Sequence, residues 1–96
     1  MRAAKIDVNQ NEIVKQLRQI PGISVHVTSC LGNGFPDLVV GYKKKYTVLV
    51  ELKRPGKYKL TEKEIEFKES TQCNYIVAQN VNDILKNISL LMTFLS

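Results

Sequence analysis

The feature that most constrains the fold is the stretch FPDLVVGYKKKYTVLVELK, in which two β-rich runs flank a lysine-rich linker. The linker, residues 42–46, is too short for the crossover that joins parallel strands, so the two runs are predicted to form an antiparallel hairpin. With the turn centred on Lys44, Val39 pairs with Leu49. This register decides which side chains share a face of the sheet.

The same register brings two carboxylates together, because it places Asp37 opposite Glu51. Their Cβ atoms would lie about 4.5 to 5.5 Å apart, a distance at which like charges destabilise a sheet. A proton or a hard divalent cation such as Mg²⁺ relieves that repulsion. Lys53, two residues beyond Glu51, points to the same face, where its ammonium can stabilise a phosphate or orient a water. A slip of one residue would separate the two acids, so the metal-site hypothesis depends on the register.

The other elements follow from periodicity and capping signals. Helical spacing over residues 9–20 ends at a Pro-Gly pair, and ISVHVTS alternates like a half-buried strand. Thr61 and Glu64 match a capping box, so a second helix should begin there. NYIVAQ indicates a further short strand, and helical spacing resumes at about Val81. The predicted order is α, β, β, β, α, β, α in a single domain over residues 1–96.

Composition and charge narrow the class of partner. Fourteen Lys and Arg against nine Asp and Glu give a net charge of +5, which favours a polyanionic partner such as DNA. The two cysteines fit neither a metal-binding spacing nor a disulfide framework. No apolar run has the length of a signal-peptide core or a membrane span, so we expect a cytoplasmic protein with no membrane partner.

The residues of the hairpin also resemble a known signature. Pro36-Asp37, followed by Glu51-Leu52-Lys53, is similar to the PD-(D/E)XK nuclease motif. GFPDLVVG, VELKRPG and KLTEKEIEF, in this order, resemble the small stand-alone VRR-Nuc domains of phages and bacteria. The resemblance covers about residues 12–81. It implies a restriction-endonuclease-like α/β fold: an αβββαβ core with a mixed sheet flanked by helices, and here an additional C-terminal helix.

The resemblance further implies an activity and a set of site residues. The family cleaves DNA phosphodiesters with Mg²⁺ or Mn²⁺, often at branched structures such as Holliday junctions or flaps. Its metal-binding acids fall at Asp37 and Glu51, and we expect the backbone carbonyl of Leu52 to complete the ligand set. Its catalytic lysine falls at Lys53, which we expect to position the attacking water or to help deprotonate it.

Two further acids have both a functional and a structural interpretation. The resemblance places a supporting metal ligand at Glu12, although Asn9 and Glu12 also fit a helix N-cap pair. The glutamine that is usual in the second helix of the family is replaced here by Glu64. Glu64 can add a metal ligand or repel phosphate, or it can serve only the capping box with Thr61.

Basic residues before and after the acids predict a track for the arms of a DNA duplex. Alternatively, the three hairpin lysines serve only to keep a tight turn soluble and have no DNA contact. His26 is expected on the polar face of its strand, where it has no catalytic role. The predicted DNA-binding residues are Lys43, Lys44, Lys45, Arg54, Lys57, Lys59 and Lys63. The last helix carries more apolar residues than one face can bury, so we expect a homodimer.

The sequence therefore predicts a metal-dependent endonuclease that selects branched DNA. Two alternatives stay open at this point. One is a nucleic-acid-binding module that has kept the fold without cutting. The other is a restriction-type enzyme that reads duplex sequence, although so short a chain leaves little room for a separate sequence-reading domain.

Overall fold

A computed structural model describes residues 8–95 of the chain. Helices and strands follow in the predicted order αβββαβα. Their bounds are α1 Val8–Arg18, β1 Ile23–Val27, β2 Leu38–Tyr42, β3 Tyr46–Leu52, α2 Glu62–Ser70, β4 Tyr75–Ala78 and α3 Val81–Leu95. Within residues 8–95, no helix is both long and apolar enough to cross a membrane.

The four strands form one mixed sheet in the order β1-β2-β3-β4. β1 with β2 and β2 with β3 are antiparallel, whereas β3 and β4 are parallel and are joined through α2. The predicted hairpin register is confirmed, because Val39 pairs with Leu49. The described part of the chain is thus an α/β domain with a mixed sheet flanked by helices, as expected.

The hydrophobic core lies on one face of this sheet. Leu38, Val40, Val48 and Val50 alternate onto that face and are fully buried. Two helices cover them with apolar residues at helical spacing. The residues that α1 and α3 contribute to the buried cluster are Ile13, Val14, Leu17, Ile84 and Ile88.

The opposite face of the sheet faces α2. This helix has no buried residue, and its contact with the sheet passes through Phe67, whose ring lies 5.1 Å from Phe35 and 6.0 Å from Tyr75 between centroids. Gly34, at a φ of +83°, lets the chain pass against the backbone of Lys63, where a Cβ would collide. These contacts set the first turn of α2 above the ends of β2 and β3.

Candidate metal centre

Asp37 is fixed in the last position before β2 by neighbours on both sides. Its carbonyl accepts from the N–H of Thr28 at 2.7 Å, and its N–H donates to the carbonyl of Val50 at 2.9 Å. Its Oδ2 accepts from the N–H of Leu52 at 2.8 Å. Burial raises the pKa of Asp37, and the Leu52 hydrogen bond partly offsets that rise. The carboxylate is therefore held against the backbone of β3.

Glu51 is the most perturbed carboxyl of the site. It is only 4% exposed, and its carboxyl lies within hydrogen-bonding reach of the carboxyls of Asp37 and Glu64. Burial, followed by the charges of Asp37 and Glu64, raises the pKa of Glu51 to about 9. Without a bound cation, Glu51 is protonated at neutral pH and donates to a neighbouring carboxylate. The acids predicted to meet on one face do meet there.

Lys53 provides the positive charge beside these acids. Its Nζ lies 2.9 Å from Oε1 of Glu64 and 3.7 Å from Oε2 of Glu51. Burial acts to lower the pKa of Lys53, but the hydrogen bond and charge of Glu64, with the other two acids, raise it overall. Lys53 is therefore a cation at neutral pH.

Glu64 makes the capping box that the sequence predicts, and it also contacts Lys53. Its N–H donates to the Thr61 hydroxyl at 3.2 Å, and its Oε1 accepts from the Thr61 N–H at 2.9 Å, which completes the capping box. The same Oε1 accepts from Lys53. Burial acts to raise the pKa of Glu64, but the bonds from Thr61, Lys53 and Glu51 lower it overall. One carboxylate thus caps α2 and orients Lys53.

The site contains more acid than its neighbouring cation neutralises. Asp37, Glu51 and Glu64 face one ammonium, and even with a proton on Glu51 two carboxylates remain against one positive charge. Hard carboxylate oxygens are the donors that Mg²⁺ and Mn²⁺ prefer. The residues therefore fit a divalent cation by chemistry and charge. Within the described residues, however, no three His, Cys, Asp or Glu side chains converge as a ready-made ligand group.

Tyr75 is a residue of this face that the sequence reasoning missed. It pairs with Leu49 across β3 and β4, and its buried hydroxyl has no hydrogen-bond partner among residues 8–95. Burial, then the charges of Glu51, Glu64 and Asp37, raise the pKa of Tyr75 to about 12. A single tyrosine in a strand carries no signal for such a position, because the placement depends on the β3–β4 register.

Glu12 does not join the cluster. It is exposed on α1, and its Oε2 accepts from Nε2 of Gln16 one turn further along the same helix. Gln10 is the buried polar residue of this helix, at 5% exposure, and its amide donates to the Ser29 hydroxyl at 3.3 Å. The acid that the resemblance assigns to the metal shell therefore faces away from Asp37 and Glu51.

The predicted basic track is divided between two ends of the sheet. The three hairpin lysines lie at the end remote from the acids, since Glu51 is six positions beyond Lys45 and a strand rises about 3.3 Å per residue. Lys43 and Lys45 place their ammonium groups 5.2 and 5.5 Å from the ring centroids of Tyr42 and Tyr46. The exposed basic residues beside the site are Arg54, Lys57, Lys59 and Lys63.

Comparisons of the chain with protein-family models, with curated proteins and with solved structures find no match. The functional interpretation therefore depends on the chain's own residues and on the resemblance of their motifs.

Proposed function

We propose that this chain is a metal-dependent endonuclease that hydrolyses DNA phosphodiester bonds, with a preference for branched DNA such as Holliday junctions or flaps. The observation that carries the proposal is the meeting of Asp37, Glu51 and Lys53 on one face of the sheet, with Glu64 completing an acid-rich cluster. The order of motifs around these residues, which resembles that of VRR-Nuc domains on a PD-(D/E)XK fold, supports it.

The proposal assigns Asp37, Glu51 and the carbonyl of Leu52 to a Mg²⁺ or Mn²⁺ ion. When bound, the ion supplies Lewis-acid stabilisation of the charge that develops on a phosphoryl group. Asp37 is held in position by the Leu52 N–H, so its carboxylate needs little reorganisation to bind. Glu51 must release its proton to become a ligand, since ligating carboxylates are ionised. Metal uptake and proton release are therefore linked at this residue.

Lys53 acts in the proposal as a cation and not as a base. Its raised pKa keeps the amine protonated, so it orients the attacking water or binds a phosphate oxygen. Glu64 holds the ammonium at 2.9 Å and thereby restricts the rotamers of a long side chain. Glu64 is thus a positioning residue. The geometry gives no support to Glu12 as a metal ligand, which leaves that role to the resemblance alone.

Two features outside the site agree with the proposal. One is consistent with a nucleic-acid substrate, and the other is consistent with a second copy of the chain. The chain carries a net charge of +5 although its site is acidic, so its basic residues lie elsewhere on the surface. α3 exposes Leu90 at 54%, Met92 at 38% and Phe94 at 83%, which is apolar surface that a second subunit would cover. A homodimer would present two sites to two strands of branched DNA.

A second candidate function is a DNA-binding module that does not cut. Two observations favour it: Lys53 is already engaged by Glu64, and no ready-made group of three ligands occurs among the described residues. This candidate predicts salt-sensitive DNA affinity without strand scission under any metal.

Cleavage assays separate the two candidates. Labelled four-way junction, flap and linear duplex DNA are incubated with the protein and Mg²⁺, Mn²⁺ or EDTA. Asp37→Asn and Lys53→Met should each reduce metal-dependent cleavage at least about 100-fold. Asp37→Asn removes a charged ligand of the proposed ion, and Lys53→Met removes the cation that orients the water or binds a phosphate oxygen. Glu66→Gln, an exposed acid on α2, and Lys86→Met, an exposed lysine on α3, are the charge-matched controls. Cleavage that survives in both site variants would overturn the residue assignment, and its absence from the wild type under every metal would favour the binding module.

A further inference from the structure

The loop between β3 and α2, residues 53–61, projects an aromatic side chain beside the site. Tyr58 is 50% exposed, and the lysines on either side of it, Lys57 and Lys59, are exposed as well. Single exposed apolar residues are common and need no explanation. The combination of an aromatic ring with two flanking cations is more specific, because proteins that bind single-stranded nucleic acid combine stacking rings with positive charge along the backbone.

Both ends of this loop are attached next to the acids. At the start, the Gln79 amide donates to the carbonyls of Arg54 at 2.9 Å and Gly56 at 2.7 Å. Gln79 is itself held through its N–H by Asp83 Oδ2 at 2.9 Å. At the end, the Thr61 N–H donates to the Glu64 oxygen that also accepts from Lys53. The loop is thus held at its base, and Tyr58 lies between the two attachments.

The position of Tyr58 sets its reach along a DNA strand. Tyr58 lies three positions before Thr61, and an extended chain covers at most about 3.3 to 3.6 Å per residue, so the two Cα atoms lie within about 11 Å. Nucleotides in a stacked strand are about 3.4 Å apart. Thr61 itself donates to a carboxylate of the cluster, so a phosphate bound there would lie only a few nucleotides along the strand from Tyr58. At that distance a paired base is inaccessible to the ring, because its two faces are covered by its neighbours in the duplex.

We propose that Tyr58 stacks on an unpaired base within about three nucleotides of the scissile phosphate, while Lys57 and Lys59 bind phosphates of the same strand. This inference rests on the proposed nuclease function and narrows its substrate class. A flap, a gap or a mismatched junction offers such a base. A continuous duplex does not, and neither does a four-way junction in which every base is paired.

The test measures binding in EDTA, so that it does not require cleavage. Fluorescence anisotropy gives the dissociation constants of a labelled flap, of the same flap with abasic nucleotides at its three unpaired positions nearest the branch, and of a continuous duplex. Tyr58→Ala should weaken binding to the intact flap about tenfold, the size expected for one stacked base, whereas Tyr58→Phe keeps the ring and should change it less than about twofold. On the abasic flap and on the duplex, Tyr58→Ala should bind like the wild type.

The flanking lysines provide the second part of the test. Lys57→Ala with Lys59→Ala should weaken binding to the intact and the abasic flap alike, and should reduce the salt slope by about 1.4, since single-stranded contacts contribute about 0.7 each. Because all three residues are exposed, thermal unfolding followed by circular dichroism should show no change in these variants.

Three results would overturn the inference. They are wild-type affinity of Tyr58→Ala for the intact flap, an equal loss on the abasic flap, and the absence of DNA binding by the wild type. A protein that shows the expected Tyr58 dependence in EDTA but cuts nothing with Mg²⁺ or Mn²⁺ would instead disprove the proposed nuclease function and leave the stacking contact standing.

Discussion

Replacing Glu51 by glutamine should stabilise the metal-free protein and at the same time remove its response to Mg²⁺. The pKa of Glu51 rises from 4.5 to about 9 on folding. For an acid whose pKa is raised, stability is greatest below the unfolded pKa and is lost as the pH rises towards the folded one. At about 1.4 kcal/mol per pKa unit, keeping the carboxyl protonated at pH 7 costs about 3 kcal/mol relative to the unfolded chain.

Glutamine carries no charge in either state and still offers N–H donors to Asp37 and Glu64, so Glu51→Gln should recover most of this cost. At pH 5 the same calculation gives a cost of less than about 1 kcal/mol, because this pH lies only about half a unit above the pKa of the carboxyl in the unfolded chain. The gain should therefore shrink between pH 7 and pH 5. A simple repacking effect would not show that dependence.

Urea unfolding in EDTA, followed by circular dichroism, measures this difference. With a slope of about 1 to 2 kcal/mol per molar urea for a domain of this size, the midpoint of Glu51→Gln should lie roughly 1.5 to 3 M above the wild type at pH 7. Adding Mg²⁺ should raise the midpoint of the wild type and leave that of Glu51→Gln unchanged. Glu66→Gln, exposed on α2, is the matched control and should do neither. A Glu51→Gln protein no more stable than the wild type at pH 7, or with the same gain at pH 5, would refute the reasoning.

Three further predictions concern the same surface. The apparent Mg²⁺ affinity of the wild type, measured by titration calorimetry, should rise up to about tenfold per pH unit below pH 9, because binding must displace the Glu51 proton. Lys43 and Lys44 have φ angles of 54° and 58°, and Asn and Gly are the residues that a type I′ turn prefers at such positions. The double variant Lys43→Asn with Lys44→Gly should therefore stabilise the protein by about 1 to 2 kcal/mol. Because it removes two positive charges, it should also weaken the affinity for DNA with long duplex arms. Tyr75→Phe removes a buried hydroxyl that has no hydrogen-bond partner among the described residues, so the melting temperature should rise or stay the same. A fall in cleavage rate at unchanged stability would identify this hydroxyl as a contact of the substrate.

The hairpin and its register could be predicted because local rules leave few alternatives. A linker as short as residues 42–46 excludes a crossover, and centring the turn on Lys44 fixes which residues face each other. The capping box at Thr61 likewise gave the start of α2, since both of its hydrogen bonds are made within one turn. These features depend on residues that are close in sequence. Because side chains alternate between the two faces of a strand, the register set at the turn also determines the face on which Glu51 lies.

The second role of Glu64 could not be derived in this way. The bond from Lys53 to Glu64 depends on where α2 rests above the sheet, and that position depends on Gly34 passing against the backbone of Lys63. No periodicity links these residues, because the contact joins two elements across a loop. Tyr75 was missed for a similar reason, since its neighbours follow from a parallel register that no turn specifies.

The exposed position of Glu12 on α1, by contrast, can be predicted from the sequence. Ile13, Val14 and Leu17 define the buried side of α1, and a helix turns about 100° per residue. On that wheel Gln10 falls on the buried side and Glu12 on the opposite one. The resemblance alone implies a metal ligand at Glu12, whereas the helical spacing predicts a solvent-facing acid, and Glu12 is indeed exposed and bonded to Gln16.

The acid cluster also explains why a domain of this size would keep an unfavourable group. A small domain has only a few kcal/mol of net stability, so a protonated Glu51 that costs about 3 kcal/mol at pH 7 is a large burden. In the proposed function a divalent cation replaces the proton and would remove that cost, because any ligand that binds only the folded state stabilises it. On this proposal the lost stability and the metal affinity are two consequences of one arrangement of Asp37, Glu51 and Glu64, so a substitution of Glu51 that relieves the first should weaken the second.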